Sequence, residues 1–241
     1  MTNSQPLTDP STSTISAPAP SVTRPRRHLQ RAGGIASLIE GGTYVAGFGV
    51  MLAYLAPRGF TDAQGDPAAS LTFLLENQAA MYLWYLLIYL VAGAALVVLT
   101  LGIHDRLKDT APALAQVAAA FGLIWSGLVL ASGMVALVGQ RAAVDLAADN
   151  LTEAVSTWSS VSIVQDALGG GIEIVGALWV LLLSIAAIRR RLLPRGLAVL
   201  GIVIGVAGMW TLVPQVEDAA SVFGLGFIAW YVWAGRTLLR S

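Results

Sequence analysis

Six long apolar runs divide this chain, and its basic residues fall almost entirely into alternate gaps between them. The runs lie near residues 33–56, 79–103, 113–139, 167–188, 196–214 and 219–239. A helical run of about 18 apolar residues is long enough to cross the roughly 30 Å hydrocarbon core of a bilayer. The pattern therefore predicts an all-α, polytopic membrane helix bundle with six transmembrane helices and one domain.

The positions of Lys and Arg predict how these spans are oriented. The chain has 14 basic residues, and all except Arg58 and Arg141 belong to one set of alternate gaps. That set comprises Arg24, Arg26, Arg27, Arg31, Arg106, Lys108, Arg189, Arg190, Arg191, Arg195, Arg236 and Arg240. Short loops rich in Lys and Arg stay on the cytoplasmic side of a membrane. We therefore expect a multi-pass protein of the inner (plasma) membrane with both termini in the cytoplasm.

Composition excludes several classes of chemistry. The chain has no cysteine, so disulfides, thiolate metal sites and cysteine nucleophiles are excluded. Its two histidines, His28 and His104, lie in different segments without a companion at metal-ligand spacing. The sequence contains no Walker loop, dinucleotide fingerprint or nucleophile elbow. We expect no catalytic motif, no cofactor, no metal and no nucleic-acid partner.

The N-terminal residues 1–32 predict a disordered, basic cytoplasmic tail, followed by a transmembrane domain over residues 33–241. Residues 1–23 are rich in Ser, Thr, Pro and Ala, and such a segment cannot bury enough apolar surface to offset its conformational entropy. Arg24, Arg26 and Arg27 follow, and basic residues beside a membrane attract anionic lipids. The expected partner is the lipid bilayer, with anionic headgroups near these arginines.

Residues 140–166 predict an amphipathic helix lying on the outer surface of the membrane. Apolar residues recur there at steps of three and four, which draws a stripe along a helix: Val144, Ala147, Leu151, Val155 and Trp158. Carboxylates recur every four residues on another face: Asp145, Asp149 and Glu153. We expect the stripe to rest on the membrane and the carboxylates to face water.

Small residues and tryptophans predict how the helices pack and where they meet the headgroups. Small residues at helix-packing spacing let backbones approach closely, and this chain has three such sets: Gly42 with Ala46, Gly122 with Ser126, and Gly201, Gly205 and Gly208. Tryptophans near span ends settle at the headgroup level, and four have that position here: Trp84, Trp158, Trp230 and Trp233.

Two carboxylates inside the predicted spans form the candidate intramembrane polar site. Glu40 lies in the first span and Glu173 in the fourth. A charged side chain near the bilayer centre costs at least about 2.5–3.5 kcal/mol, so such residues usually face the bundle interior and often have a function. From the rise of a helix, their depths differ by roughly 13 Å, which is too far to share one proton. They are better placed as two stations on one route.

Several segments resemble a known family. They are Asp105-Arg106-Leu107-Lys108, residues 120–134, Leu193-Pro194-Arg195-Gly196, residues 211–214 and Phe223-Gly224-Leu225-Gly226. In these segments the chain resembles a bacterial family of six-helix membrane proteins classed as a domain of unknown function. The resemblance covers about residues 30–240. It implies the six-helix bundle, and it carries no activity and no catalytic residues to this chain.

Three functional hypotheses stay open on the sequence. The first is a small proton-linked transporter or channel-like protein in which Glu40 and Glu173 line a polar route. The second is a non-catalytic membrane protein that binds partner proteins or lipids, with both glutamates bonded to neighbouring helices. The third is a membrane-embedded enzyme that uses polar groups near the outer surface, although helix ends that face water explain those groups equally well. They are Glu76, Gln165, Asp166 and Glu217.

Overall fold

The protein is built from helices. The structure is a computed structural model that describes residues 24–169, 173–190, 193–213 and 218–240. The α-helices of these residues are α1 (Arg24–Val50), α2 (Phe60–Ala63), α3 (Pro67–Glu76), α4 (Gln78–Tyr85), α5 (Ala92–Leu107), α6 (Pro112–Ala147), α7 (Leu151–Gly169), α8 (Ile174–Arg190), α9 (Arg195–Trp210) and α10 (Asp218–Leu239). A π-helical segment, Met51–Leu55, extends α1, and another, Leu86–Val91, joins α4 to α5. No strand occurs in the described residues, which confirms the all-α prediction.

Helices α1, α5, α6, α8, α9 and α10 pack as a closed ring, in which each helix contacts the next and α9 and α10 close the circuit to α1. The described chain has five helical stretches that are long and apolar enough to cross a membrane: His28–Arg58, Gln78–Leu107, Pro112–Ala147, Leu151–Arg189 and Ala219–Leu239. The remaining predicted span, the fifth (196–214), corresponds to α9, whose 16 residues rise about 24 Å. The protein is a multi-pass membrane helix bundle.

The two ends of the ring differ in charge. At one end the start of α1 packs against the ends of α5 and α10, because Gly33 lies against Gly102 and Gly34 against Leu239. We call this the basic end, since it also carries the loops with most of the Lys and Arg residues. The opposite end carries α2, α3, the turn between α6 and α7, and the start of α10. We call it the acidic end.

Helix α6 is too long for the membrane alone. Its 36 residues rise about 54 Å, whereas the hydrocarbon core is roughly 30 Å thick. Residues 148–150 turn the chain, and α7 runs back along α6. Ser132 of α6 donates a hydrogen bond to the Gln165 carbonyl of α7 at 2.9 Å. The two helices therefore form a hairpin that projects at the acidic end.

This hairpin shows that the prediction of one amphipathic helix over residues 140–166 was wrong. Residues 140–147 finish α6, and only Leu151 onward belongs to α7. Trp158 is 3% exposed, and its indole Nε1 donates to Ser70 Oγ of α3 at 3.0 Å. Part of the predicted stripe therefore packs against protein: Ala147, Val155 and Trp158 do so, whereas Leu151 is 60% exposed. A sequence pattern cannot distinguish a protein surface from a lipid surface as the partner of an apolar face. The carboxylates predicted to face water, Asp145, Asp149 and Glu153, are exposed.

Small residues lie at most of the predicted helix contacts. Gly201, Gly205 and Gly208 of α9 face α8 and α10, and a Cβ at each would collide with a neighbouring side chain. A Cβ at Gly122 would lie 2.6 Å from Thr100 Oγ1. Gly42 and Ala46 are exposed, and no atom lies within 4 Å of a Cβ built at Gly42. That predicted contact was wrong because this face of α1 is directed away from the bundle.

Two of the predicted interfacial tryptophans lie in the interior instead. Trp230 is 1% exposed and Trp158 is 3% exposed, whereas Trp233 is 41% exposed. Trp230 packs edge-on against Trp179, with ring centroids 5.5 Å apart. Trp230 is directed into the ring of helices, where bulky side chains fill the space. Its position near the end of a span therefore did not determine its environment.

The described chain begins inside the region predicted as a tail. Residues 24–32 belong to α1, and the domain boundary at residue 32 remains a prediction. The apolar residues of this first helix begin close enough to the basic cluster for one helix to include both. Residues 1–23 lie outside the described residues, as do Glu217 and the side chains of Arg24, Arg26 and Arg27.

Candidate functional site

A cavity of about 760 Å³ lies inside the half of the bundle nearest the acidic end. It is lined by α1, α4, α5, α6, α7 and α10, together with α2 and α3 and both π-helical segments. Exposed residues of the acidic end, among them Gln64, Asp166 and Ser221, line its mouth. π-Helical turns occur frequently at functional sites, and here Met51, Ile88 and Tyr89 of those turns face the cavity.

Glu40 lies at the deep end of this cavity. It lies just past the middle of α1, counted from the basic end, and its side chain is 1% exposed. Its Oε1 has no hydrogen-bond partner in the described protein. The neighbouring Thr43 hydroxyl donates to the Glu40 carbonyl at 2.8 Å, so it satisfies the backbone and leaves the carboxyl group alone. A buried carboxyl oxygen without a protein partner is destabilising. Glu40 Oε1 is therefore available to accept a hydrogen bond from a group outside the protein.

Tyr44 and Tyr231 stand beside Glu40. Tyr44 follows Glu40 by one helical turn on the same face of α1, and its ring meets that of Tyr231 edge-on with centroids 5.5 Å apart. The buried Tyr231 Oη has no hydrogen-bond partner among the described residues. Both tyrosines line the cavity and lie within electrostatic range of Glu40 and Glu173.

Glu173 lines the same cavity from the other side. It precedes α8 and lies outside a helix, whereas the sequence placed it within one continuous span over residues 167–188. α7 ends at Gly169, and α8 begins at Ile174. The Glu173 backbone N–H donates to Thr211 Oγ1 at 3.0 Å, which ties the start of α8 to the end of α9. The side chain is half-buried.

The two glutamates share a cavity without contacting each other. Among the described residues, no hydrogen bond joins them. Both residues line the cavity. The two stations on one proton route remain a prediction.

Two of the four predicted outer-surface groups, Gln165 and Asp166, line the cavity. Gln165 is 7% exposed, and its Nε2 donates to Tyr89 Oη at 2.7 Å. It is buried because α7 packs along α6 and presents this side chain to the bundle. Asp166 is exposed and lines the cavity mouth, whereas Glu76 is exposed and does not line the cavity. Glu217 lies outside the described residues, so the structure gives the enzyme hypothesis no assembled set of these four groups.

An aromatic cluster packs between α6, α8 and α10 beside the cavity. Trp179, Phe227 and Trp230 are at most 1% exposed. Trp125 and Phe227 pack with ring centroids 5.4 Å apart, and Trp179 stacks on Phe227 at 6.3 Å. These rings form a packed wall beside the cavity, and Trp125 itself lines it.

The tyrosines and tryptophans of the cavity wall were not found by sequence reasoning. One available signal was the helical spacing of Glu40 with Tyr44 and of Tyr85 with Tyr89, because residues four apart share one face of a helix. Tyr85 and Tyr89 are 5% and 9% exposed and line the cavity together. A polar residue and an aromatic residue at that spacing inside an apolar run indicate a face that does not contact lipid.

Comparison with known proteins identifies the family and nothing more specific. The family described as "Domain of unknown function (DUF4386)" matches residues 39–237. Neither the curated proteins nor the solved structures contain a match to this chain. The matched region includes Glu40, Glu173 and every ring helix except the first turns of α1 and the last residues of α10. Since the match spans most of the sequence, the chain belongs to the DUF4386 family of unknown function.

Proposed function

We propose that the protein is a small proton-linked transporter of the bacterial inner membrane, whose cavity holds the cargo and whose Glu40 and Glu173 exchange protons. Its termini face the cytoplasm, so the cavity opens to the outside. The observation that carries this proposal is the Glu40 carboxyl group, which is 1% exposed, has an unpartnered oxygen and borders a cavity of about 760 Å³.

The structural alternative accounts less well for Glu40. A glutamate that holds two helices in register should have its buried oxygens bonded to a neighbouring helix, because an unpaired buried polar atom costs about 1–3 kcal/mol. Nearby polar groups show that the bundle does form such bonds. Ser37 Oγ, one turn earlier on α1, donates to the Tyr231 carbonyl at 2.7 Å. Glu40 Oε1 lacks such a bond, as do three other buried polar atoms of the described residues: Thr100 Oγ1, Gln140 Oε1 and Tyr231 Oη.

The titratable groups around Glu40 come from several helices. Those that line the cavity are Tyr44, Tyr85, Tyr89, Asp166, Glu173 and Tyr231. A proton taken up at Glu40 is therefore surrounded by carboxyl and phenol groups, and no basic side chain of the described residues lines the cavity. Hydroxyl and carboxyl groups in hydrogen-bond reach of one another, or of water between them, can relay a proton.

Alternating access would follow from the ring. The cavity reaches the surface at the acidic end, where the exposed residues Gln64, Asp166 and Ser221 line it. Transport then requires a second state in which the cavity opens toward the basic end, as helices rock around a fixed binding site.

The test is solute-driven proton movement in proteoliposomes that contain a trapped pH dye. Purified protein is challenged with a panel of amines, amino acids, sugars and carboxylates. We expect one solute class to drive a pH change, and Glu40→Gln and Glu173→Gln to abolish it while solute binding persists. Glu76→Gln is the matched control, since Glu76 is exposed and outside the cavity. A flux that survives Glu40→Gln would contradict the proposed role of Glu40.

A further inference from the structure

The lining of the cavity defines which class of molecule it can hold, and this inference rests on the function proposed above. Three carboxyl groups line the cavity: Glu40, Asp166 and Glu173. The other titratable lining groups are tyrosines, and no Lys, Arg or His of the described chain borders the cavity. An anionic ligand would meet only like charge or acceptor atoms there, whereas a cation would meet compensating charge.

The walls add aromatic faces to this acidic lining. Phe60 packs edge-on against Trp84 with centroids 5.7 Å apart, and Trp84 continues to Tyr85 at 5.5 Å and Tyr85 to Tyr89 at 5.9 Å. This aromatic wall therefore runs along the cavity from α2 to the π-helical turn. A cation within about 6 Å of an aromatic face is attracted by the ring quadrupole, and the attraction is stronger where water is excluded.

The deep end supplies an acceptor that the protein leaves unused. Glu40 Oε1 and Tyr231 Oη are both buried and unpartnered, and both residues line the cavity. A donor carried by a ligand would satisfy the carboxyl oxygen and so repay the cost of burying it. This points to a positively charged group seated near Glu40, with the Tyr44 ring beside it.

Size and wall chemistry favour an organic cation over a metal ion. Ca²⁺ takes six to eight oxygen ligands at about 2.3–2.6 Å. The carboxyl groups of this cavity are spread between its deep end and its mouth, so they do not form such a ligand set. A volume of about 760 Å³ is typical of small-molecule sites, which usually range from about 300 to 1,000 Å³. Such sites have mostly apolar walls with a few polar groups that fix orientation.

We propose that the cavity binds an organic cation with an apolar or aromatic body. The cationic group lies at Glu40, and the body packs on the wall formed by Phe60, Trp84, Tyr85 and Tyr89. Glu173 and Asp166 make the approach from the mouth electrostatically favourable.

The test compares two ions of nearly the same shape and opposite charge. Binding of radiolabelled tetraphenylphosphonium to the full-length protein in lipid nanodiscs is measured by equilibrium dialysis, with empty nanodiscs to subtract partitioning. We expect saturable binding that tetraphenylborate does not compete away. Glu40→Gln should weaken binding by about tenfold or more, because one partner of a buried charge pair is lost. Glu40→Asp, which keeps the charge, should retain most of the affinity.

Glu76→Gln is again the control, and unchanged binding there shows that the fold and the nanodiscs are sound. Equal competition by tetraphenylborate, or unchanged affinity in Glu40→Gln, would overturn the organic-cation proposal. The result is separable from proton-linked transport. If tetraphenylphosphonium binds but drives no pH change in proteoliposomes, the organic-cation proposal is supported and proton linkage is refuted. If only uncharged solutes drive proton flux, proton linkage is supported and the organic-cation proposal is refuted.

Discussion

Replacing Glu40 with methionine should stabilise the protein. Methionine has nearly the same length and shape as glutamate and no hydrogen-bonding requirement of comparable strength. Glu40 is 1% exposed and its Oε1 has no protein partner. A buried unsatisfied polar atom costs about 1–3 kcal/mol. Since this oxygen borders a cavity instead of packed hydrocarbon, the low end of that range applies, and we expect a gain of about 1 kcal/mol.

For a chain of this length, about 1 kcal/mol corresponds to a rise of about 2–4 °C in Tm. Tryptophan fluorescence during thermal unfolding in one detergent, at one fixed scan rate, measures that change. Glu76→Met is the control, because Glu76 is exposed and such surface changes stay within about 0.5 kcal/mol. A fall of several degrees in Glu40→Met would refute the reasoning, because it would show that the carboxyl group contributes bonds to the folded state.

Three more changes test the fold and the orientation. Gly102→Ala should lower Tm, because its Cβ would lie 2.7 Å from the Gly33 Cα and overpacking costs about 1–3 kcal/mol. Gly42→Ala should be neutral or stabilising, since no atom lies within 4 Å of a Cβ built there. Equal shifts of Tm in the two variants would contradict this. Gln165→Leu should lower the free energy of unfolding by about 1–3 kcal/mol, because it removes the 2.7 Å hydrogen bond to the Tyr89 hydroxyl. Adding Tyr89→Phe should recover part of that loss. Additive losses from the two changes would argue against the hydrogen bond. The chain has no cysteine, so a single cysteine at exposed Asp149 should react with an impermeant maleimide in intact cells, and labelling only after permeabilisation would reverse the proposed orientation.

Much of the architecture could be predicted because a bilayer imposes simple rules. Apolar runs of sufficient length have few alternatives to spanning helices, and the ring formed by α1, α5, α6, α8, α9 and α10 corresponds to the six predicted spans. The glycines of α9 were predicted to lie in contacts because close backbone approach requires them. Glu40 was identified for a similar reason, since an ionisable residue in an apolar run has few tolerable positions other than the interior.

The remaining features depend on which apolar surface a helix meets. The stripe of residues 140–166 satisfied the pattern for a membrane-surface helix, yet Trp158 is buried against α3. Gly42 lies at a small-residue spacing but faces away from the bundle. Gln165 lies at a predicted outer surface and is buried by the α6–α7 hairpin. Periodicity identifies a face, and only tertiary packing determines what covers it.

The cavity itself could not be predicted, because it arises from several helices that are distant in sequence. Glu40 of α1 and Glu173 before α8 meet the same space only when the ring closes. α7 is described to Gly169 and α8 from Ile174, and residues 170–172 between them lie outside the described residues.

The central claim is that two intramembrane carboxyl groups exchange protons with solution through one cavity. Difference infrared spectroscopy of the carboxylic C=O band, recorded on lipid-embedded protein during a pH titration, measures that exchange without knowledge of the cargo. We predict a pH-dependent band that loses one component in Glu40→Gln, another in Glu173→Gln, and none in Glu76→Gln. A band that does not respond to pH, or that is the same in Glu40→Gln as in the unmodified protein, would contradict the account.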